Sequence, residues 1–179
     1  MAMLQPSSSS CKFSYNVFLS FRGLDTRHGF TGNLYNALSK SGVHTFMDHE
    51  ELPRGNEIKP SLIKAIEESR IFIPVFSKNY ASSSFCLDEL IHIIHCYKTK
   101  GRPVLPVFYD IAPTDLRKQT GSIGEALAKF EKEFENDKVN MERLQKWKMA
   151  LTQAADLSGD HFCLGYPTSF LVSNVISLY

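Results

Sequence analysis

Along the chain, short apolar runs of β character alternate with longer stretches of helical three-four spacing. Tyr15 to Phe21 is the first run. Val17, Leu19 and Phe21 fall on one face and apolar Phe18 on the other, which predicts a strand buried on both sides. Phe30, Leu34, Ala37, Leu38 and Ser41 then share a helical face, with Gly42 as a C-cap, and Val43 to Met47 predicts a second short strand. The loop from Asp48 to Asn56 is charged and carries Pro53 and Gly55, ordinary turn residues. Helical spacing resumes at Ile58, Leu62, Ile63 and Ile66, and Pro60 suits the first turn of that helix. Ile71 to Phe76 predicts a third strand, in which Pro74 lacks an amide donor and implies an edge position, a bulge or a local break.

After the third strand, Ser84 is the candidate N-cap of a helix whose Leu87, Leu90, Ile91 and Ile94 form a sheet-docking stripe. That helix is expected to reach about Lys100, with Gly101 ending it. Val104 to Tyr109 predicts another strand, again holding an awkward proline, and helices are predicted from Glu125 to Phe134 and Met141 to Leu157. Strands that alternate with single helices argue for a parallel sheet covered on both faces, a flavodoxin-like α/β fold of about five strands. Such sheets bind ligands beyond the carboxyl ends of their strands, where strand order reverses. Three segments are expected to meet there: Ser20 to Asp25, Asp48 to Asn56, and Ser77 to Glu89.

Composition narrows the partners. At 179 residues and 43% hydrophobic, the chain supports one sizeable core. A formal net charge of +1 leaves no electrostatic footprint for nucleic acid or an anionic membrane, so neither is expected as a partner. Cys11, Cys86, Cys96 and Cys163 stand at unrelated spacings, which fits reduced thiols in a cytoplasmic or nucleocytoplasmic compartment better than a secreted disulfide framework. Residues 1–13 read as a disordered leader without signal-peptide character, and no run approaches the ~20 apolar residues of a membrane span.

The candidate chemistry centres on Glu89. It lies off the docking stripe, with Phe85, Cys86, His92 and Ile93 one turn away, so its carboxylate leaves a partly apolar surface that can tune it for catalysis. The plainer alternative is a solvated glutamate that favours the positive end of its helix. His92 and His95 share the polar side of that helix while Cys96 turns away, a poor metal-ligand set. Cys86 and His92, six residues apart, face apart and do not form a nucleophile-base pair, so Cys86 reads as a packing residue. A phosphoacceptor receiver domain needs acidic residues after the first strand, where Phe21-Arg22-Gly23 stands.

Several ordered segments carry a resemblance: Tyr15-Asn16-Val17-Phe18-Leu19-Ser20-Phe21-Arg22-Gly23 with Asp25-Thr26-Arg27, Leu52-Pro53-Arg54-Gly55, Phe76-Ser77-Lys78-Asn79-Tyr80-Ala81, Cys86-Leu87-Asp88-Glu89-Leu90 and Val107-Phe108-Tyr109-Asp110. The chain resembles a plant Toll/interleukin-1 receptor (TIR) domain over about residues 14–166, with residues 167–179 a divergent tail. The resemblance implies an NAD+ nucleosidase of plant immunity, with ADP-ribosyl cyclisation as a related outcome, whose site is assembled by self-association with other TIR domains. NAD+ is then substrate, and no cofactor or metal is implied. Glu89 matches the family's catalytic glutamate. Phe21, Arg22, Gly23, Asp48, Ser77, Phe85 and Cys86 match the substrate surroundings, and Leu52, Arg54 and Gly55 match the so-called BB loop that contacts a neighbouring protomer. Arg22 also reads as a plain surface cation.

Two departures from the family pattern bear on function. Phe85 stands where tryptophan is common, which weakens base stacking without abolishing it. Gly32-Asn33 replaces a Ser-His pair at the self-association face and cannot make the same contacts. They keep open a second reading, a non-catalytic interaction module that recruits other TIR proteins. No Gly-x-x-x-x-Gly-Lys loop occurs, so the nucleotide-binding part of a full receptor is not in this chain, which reads as a TIR-only protein or a truncated receptor.

Overall fold

The computed structural model describes residues 12–48, 58–157 and 167–179. Four strands form one parallel sheet in the order β2-β1-β3-β4: β1 Tyr15–Phe21, β2 Thr45–Met47, β3 Ser69–Phe76 and β4 Val107–Phe108. The sequence suggested about five; four lie among the described residues. The helices are α1 Gly23–Thr26, α2 Phe30–Lys40, α3 Pro60–Glu67, α4 Ser84–Lys100, α5 Pro113–Lys118, α6 Gly121–Glu133, α7 Lys138–Asp156 and α8 Thr168–Ser177, with a 3₁₀ turn at Tyr80–Ser82.

Strand alternation sorts the core into two faces. Val17, Leu19 and Phe21 of β1, with Ile71, Ile73 and Val75 of β3, pack against Leu34 and Leu38 of α2 and Leu171, Val172 and Val175 of α8. Phe18 and Phe72 point to the opposite side, onto Leu62, Ala65 and Ile66 of α3 and Ile93 and Cys96 of α4. A third cluster joins Leu87 and Leu90 of α4 to Ile123 and Leu127 of α6 and Leu144, Trp147 and Leu151 of α7. Ser20 shares the even-numbered face of β1 and is therefore delivered beneath α4.

Pro74 is reconciled with a central strand through the neighbouring ladder. Phe72 donates its N–H to Pro103 O at 3.0 Å and accepts from Leu105 N at 2.8 Å, while Phe76 O accepts from Tyr109 N at 2.8 Å. The even residues of β3 thus face β4, and continuation of the Val75–Val107 register sets Pro74 opposite Pro106. Pro74 has no N–H to give to Leu105 O, so the predicted Val104 to Tyr109 strand breaks into an isolated bridge at Val104 and a two-residue β4, whereas the Pro106 nitrogen lies on the side away from β3. The local break, rather than an edge position or a bulge, is what the proline costs the sheet.

Helix boundaries follow capping chemistry. The N-cap of α4 is Ser83, not Ser84: its hydroxyl accepts from Cys86 N at 3.3 Å, and Ser84 begins the helix with a buried hydroxyl that has no hydrogen-bond partner among the described residues. Gly101 ends the helix at φ 63°, as its spacing suggested. The C-cap of α2 is Ser41, and Gly42 follows it in the left-handed region at φ 76°. Helices α5 and α8 were not anticipated as elements; α5 is barely two turns long and α8 begins directly after Pro167. Cys86 and Cys96 are buried free thiols, and no described helix is long and apolar enough to cross a membrane.

A charged latch fastens α4 to α7. The Arg143 guanidinium forms a bidentate ion pair with Asp88, its Nε donating to Oδ1 at 3.0 Å, and Trp147 Nε1 donates to the same oxygen at 2.8 Å. Arg143 also lies over the Trp147 ring, 4.8 Å from its centroid.

Gly32 is held by close approach. A Cβ there would sit 2.4 Å from the carbonyl oxygen of Arg27, a backbone atom that cannot swing aside. Gly32→Ser is expected to destabilise the domain by about 1–3 kcal/mol, the range of overpacked sites, seen as a lower urea midpoint at unchanged m-value. A Ser-His pair at positions 32 and 33, which the resemblance would place there, is therefore closed to this backbone by the turn before α2.

Candidate active site at the strand switch point

The sheet order places β2 and β3 on opposite sides of β1, so the crevice beyond the carboxyl end of β1 is the point where strand order reverses. A cavity of about 280 Å3 opens there. Its walls come from Leu19, Phe21, Arg22, Gly23, Leu24 and Arg27 after and within β1, Asp48 after β2, Leu62 of α3, and Ser82 to Cys86 with Glu89 at the start of α4.

Glu89 is 6% exposed, which overturns the solvated reading. Its carboxylate accepts a hydrogen bond from Ser20 Oγ at 2.6 Å. Burial raises the pKa to about 8; the Ser20 bond offsets this in part, whereas the carboxylates of Asp48 and Asp88 push in the same direction as burial. Ser20 also lies 2.9 Å from the hydroxyl of fully buried Tyr80, which in turn reaches the Cys86 carbonyl at 3.0 Å. Burial likewise pushes the Cys86 thiol well up, and its sulfur sits 3.4 Å from Phe21 O, so the packing reading of Cys86 stands.

Two guanidiniums flank the mouth. Arg22 donates to Asp25 Oδ1 at 2.8 Å, and Asp25 accepts from Ser77 Oγ at 2.5 Å and from Asn79 N and Nδ2 at 3.3 Å each. Burial opposes ionisation of Asp25, but these donors and the Arg22 charge outweigh it and hold the carboxyl below its ordinary range. Arg27 donates to Asp48 O at 2.7 Å and lies over the Phe21 ring, 5.2 Å from its centroid. A Cβ at Gly23 would meet Arg27 Nη2 at 2.7 Å, so the glycine leaves the path that the guanidinium takes over the loop.

Of the residues singled out in the sequence, the structure thus gathers Glu89, Phe21, Arg22, Gly23, Asp48, Phe85 and Cys86 around one cavity. Ser77 does not line it; it supports Arg22 from behind through Asp25. Gly32 and Asn33 lie away from it on α2, and Leu52, Arg54 and Gly55 fall outside the described residues. Ser20, Tyr80, Arg27 and the Ser82-Ser83 pair were missed as site residues. For Ser20 the available signal was strand alternation, since a polar residue on the inward face of a doubly covered strand needs a buried partner.

The arrangement defines a doubly wound α/β domain with a buried carboxylate beneath a cationic rim. The TIR domain family model matches residues 14–177, and the chain belongs to that family. It is 51% identical over 83% of its length to the disease resistance protein RPV1 of Vitis rotundifolia, covering 10% of that protein. It is 46% identical over 86% of its length to the TMV resistance protein N of Nicotiana glutinosa, covering 13% of it. The chain therefore spans about a tenth of the length of these curated relatives. Among solved structures, the TIR domains of the activated Roq1 resistosome, which directly recognises the pathogen effector XopQ, superpose with a TM-score of 0.79 at 45% identity over 92% of this chain and 98% of that one.

Proposed function

We propose that the chain is an NAD+ nucleosidase of plant innate immune signalling, acting in the cytoplasm once copies self-associate. The observation that carries this reading is the buried Glu89 carboxylate at the floor of a cavity whose rim holds Arg22 and Arg27. The kinship to disease-resistance proteins and to TIR domains of a resistosome supports the signalling context and the dependence on assembly. In this reading the guanidiniums engage the pyrophosphate, and Phe85 and Phe21 offer ring faces to the bases. Heterolysis of the N-glycosidic bond sends the electron pair to nicotinamide, which leaves neutral. The anomeric carbon becomes oxocarbenium-like, and an ionised Glu89 stabilises that charge. Water then adds to it and its proton is lost to the carboxylate; attack by a nucleophile within the substrate itself gives a cyclic product instead.

The test is NAD+ loss and nicotinamide release by protein crowded onto a surface, beside Glu89→Ala with its fold checked by circular dichroism. Glu89→Ala is expected to lose turnover by at least about 100-fold. Wild-type kcat/KM is expected to rise with pH toward about 8, because the carboxylate must be ionised to act. A wild type that stays inert when crowded would leave the interaction-module reading in place, for which Gly32-Asn33 and Phe85 are the favouring residues.

A further inference from the structure

The buried groups around Glu89 present a hydrogen count that does not close for an ionised carboxylate. Three contacts run in series: Glu89 to Ser20 Oγ at 2.6 Å, Ser20 Oγ to Tyr80 Oη at 2.9 Å, and Tyr80 Oη to the Cys86 carbonyl at 3.0 Å. The carbonyl at one end has no hydrogen to give, and neither has a carboxylate at the other. Ser20 and Tyr80 then supply two hydrogens for three contacts, and one oxygen pair is left facing without a proton between them. A protonated Glu89 adds the third hydrogen. Every contact is then made in one direction, from Glu89 to Ser20 to Tyr80 to the Cys86 carbonyl.

We infer that Ser20 and Tyr80 are positioning residues that hold the resting Glu89 in its neutral form through a hydroxyl relay complete only when the carboxyl carries a proton. This rests on the nucleosidase reading for its functional meaning, although not for its test. Its consequence is that the site is set against charge until a cation enters. A cationic nicotinamide ring beside Glu89 favours ionisation, the proton leaves to solvent, and Ser20 turns its hydrogen back to the carboxylate. The donor that satisfies the neutral chain thereby becomes the donor that orients the catalytic anion.

Other groups face the same carboxylate without making this contact. From the β1 side the same cavity receives Arg22, paired with Asp25, and Arg27, which donates to Asp48 O. Asp48 follows β2, and α4 itself brings Cys86, Asp88 and half-buried His92. From α3 the cavity receives only apolar Leu62. Asp48 and Asp88 act on Glu89 through space in the same direction as burial, whereas Ser20 is its hydrogen-bond donor among the described residues.

The two relay residues are distinguishable by how far each shifts Glu89. Tyr80→Phe removes the upper two contacts and keeps the ring edge-on to Phe76, 4.8 Å between centroids. One hydrogen then remains for one contact, so the ionised form is no longer short and Glu89 titrates lower. Ser20→Ala removes the same unmet contact together with the charge-assisted donor to the anion, so Glu89 titrates above its value in Tyr80→Phe. The probe is the carboxyl carbon resonance of Glu89 in protein labelled with 13C-glutamate, assigned by its loss in Glu89→Gln and titrated without NAD+. The wild-type midpoint is expected near 8, displaced downward by about one pH unit in Tyr80→Phe, with Ser20→Ala about one unit above Tyr80→Phe, the equivalent of one hydrogen bond. A Tyr80→Phe midpoint at or above the wild-type value, or one that coincides with Ser20→Ala, overturns the relay; should Ser20→Ala fail to fold, the sign in Tyr80→Phe decides. No turnover is needed for this readout, so an inert protein with a lowered Tyr80→Phe midpoint refutes the nucleosidase reading alone, and an active one with an unmoved Tyr80→Phe midpoint refutes the relay alone.

Discussion

Glu89→Gln is expected to raise the stability of the domain above pH 8 while leaving it nearly unchanged below pH 4.5. Burial lifts the folded-state pKa of Glu89 from 4.5 to about 8, so the folded protein holds this proton more tightly than the unfolded chain does. The associated stability is fully present below the unfolded value. It is lost as pH climbs from 4.5 to 8, because the unfolded chain ionises first and the folded carboxyl must then ionise in a desolvated place. A shift of that size corresponds to several kcal/mol, on the order of 3–5. Glutamine keeps the shape and stays neutral, so it escapes the loss. Thermal melts of the two proteins should nearly coincide at pH 4 and separate by about 10 °C at pH 9, the variant melting higher. Parallel melting curves across the range would show that Glu89 does not carry this strain. In the proposed nucleosidase reading the same substitution should remove NAD+ turnover, so stability and activity are expected to move in opposite directions at one residue, as they do where a site is held in an unfavourable state for its chemistry.

The second large effect is expected at Asp88→Ala. Asp88 is 7% exposed and is the acceptor for both the Arg143 guanidinium and the Trp147 indole N–H. Its removal leaves a largely buried cation and a buried donor without their acceptor at the α4–α7 interface, the situation in which breaking a buried pair costs about 3–5 kcal/mol. A fall of about 10 °C in Tm at pH 7 is expected, with Asp88→Asn intermediate because an amide oxygen still accepts from Trp147. Arg143→Met in the Asp88→Asn background should recover part of the loss, since the unpaired charge is then gone. A loss below about 1 kcal/mol, the level of a surface ion pair, would contradict the latch. Asp88 adjoins Glu89 on α4, so the latch also fixes the turn that presents the catalytic candidate.

Much of the fold was legible because its strands are covered on both sides. A strand such as β1, apolar on both faces from Val17 to Leu19, has no place in a half-exposed antiparallel sheet, and single helices between such strands leave little choice but a parallel doubly wound arrangement. Gly101 and Pro60 marked helix limits through backbone constraints that operate within one turn. The sequence was less informative where the decisive partner is distant. Whether Pro74 meant an edge or a break depended on the β4 segment set beside it, more than thirty residues away. The choice between Ser83 and Ser84 as N-cap depended on backbone angles that three adjacent serines do not reveal. Glu89 was singled out as a candidate, yet its two readings, solvated or buried, differ only in what α3, β1 and the Tyr80 turn place around it.

What the sequence by itself determined is local and periodic: alternating elements, the covered sheet, the glycine and proline punctuation, and the ordered motifs that mark the TIR family. These follow from near-neighbour sterics and from burial patterns that repeat every two or three to four residues. The tertiary structure alone decided how deeply Glu89 is buried and which groups meet it. Ser20 meets Glu89 across 69 residues of chain and Tyr80 across 60, and Asp88 meets Arg143 across 55. The energy of a buried proton or ion pair depends on distances and desolvation set by packing, which no spacing along the chain encodes.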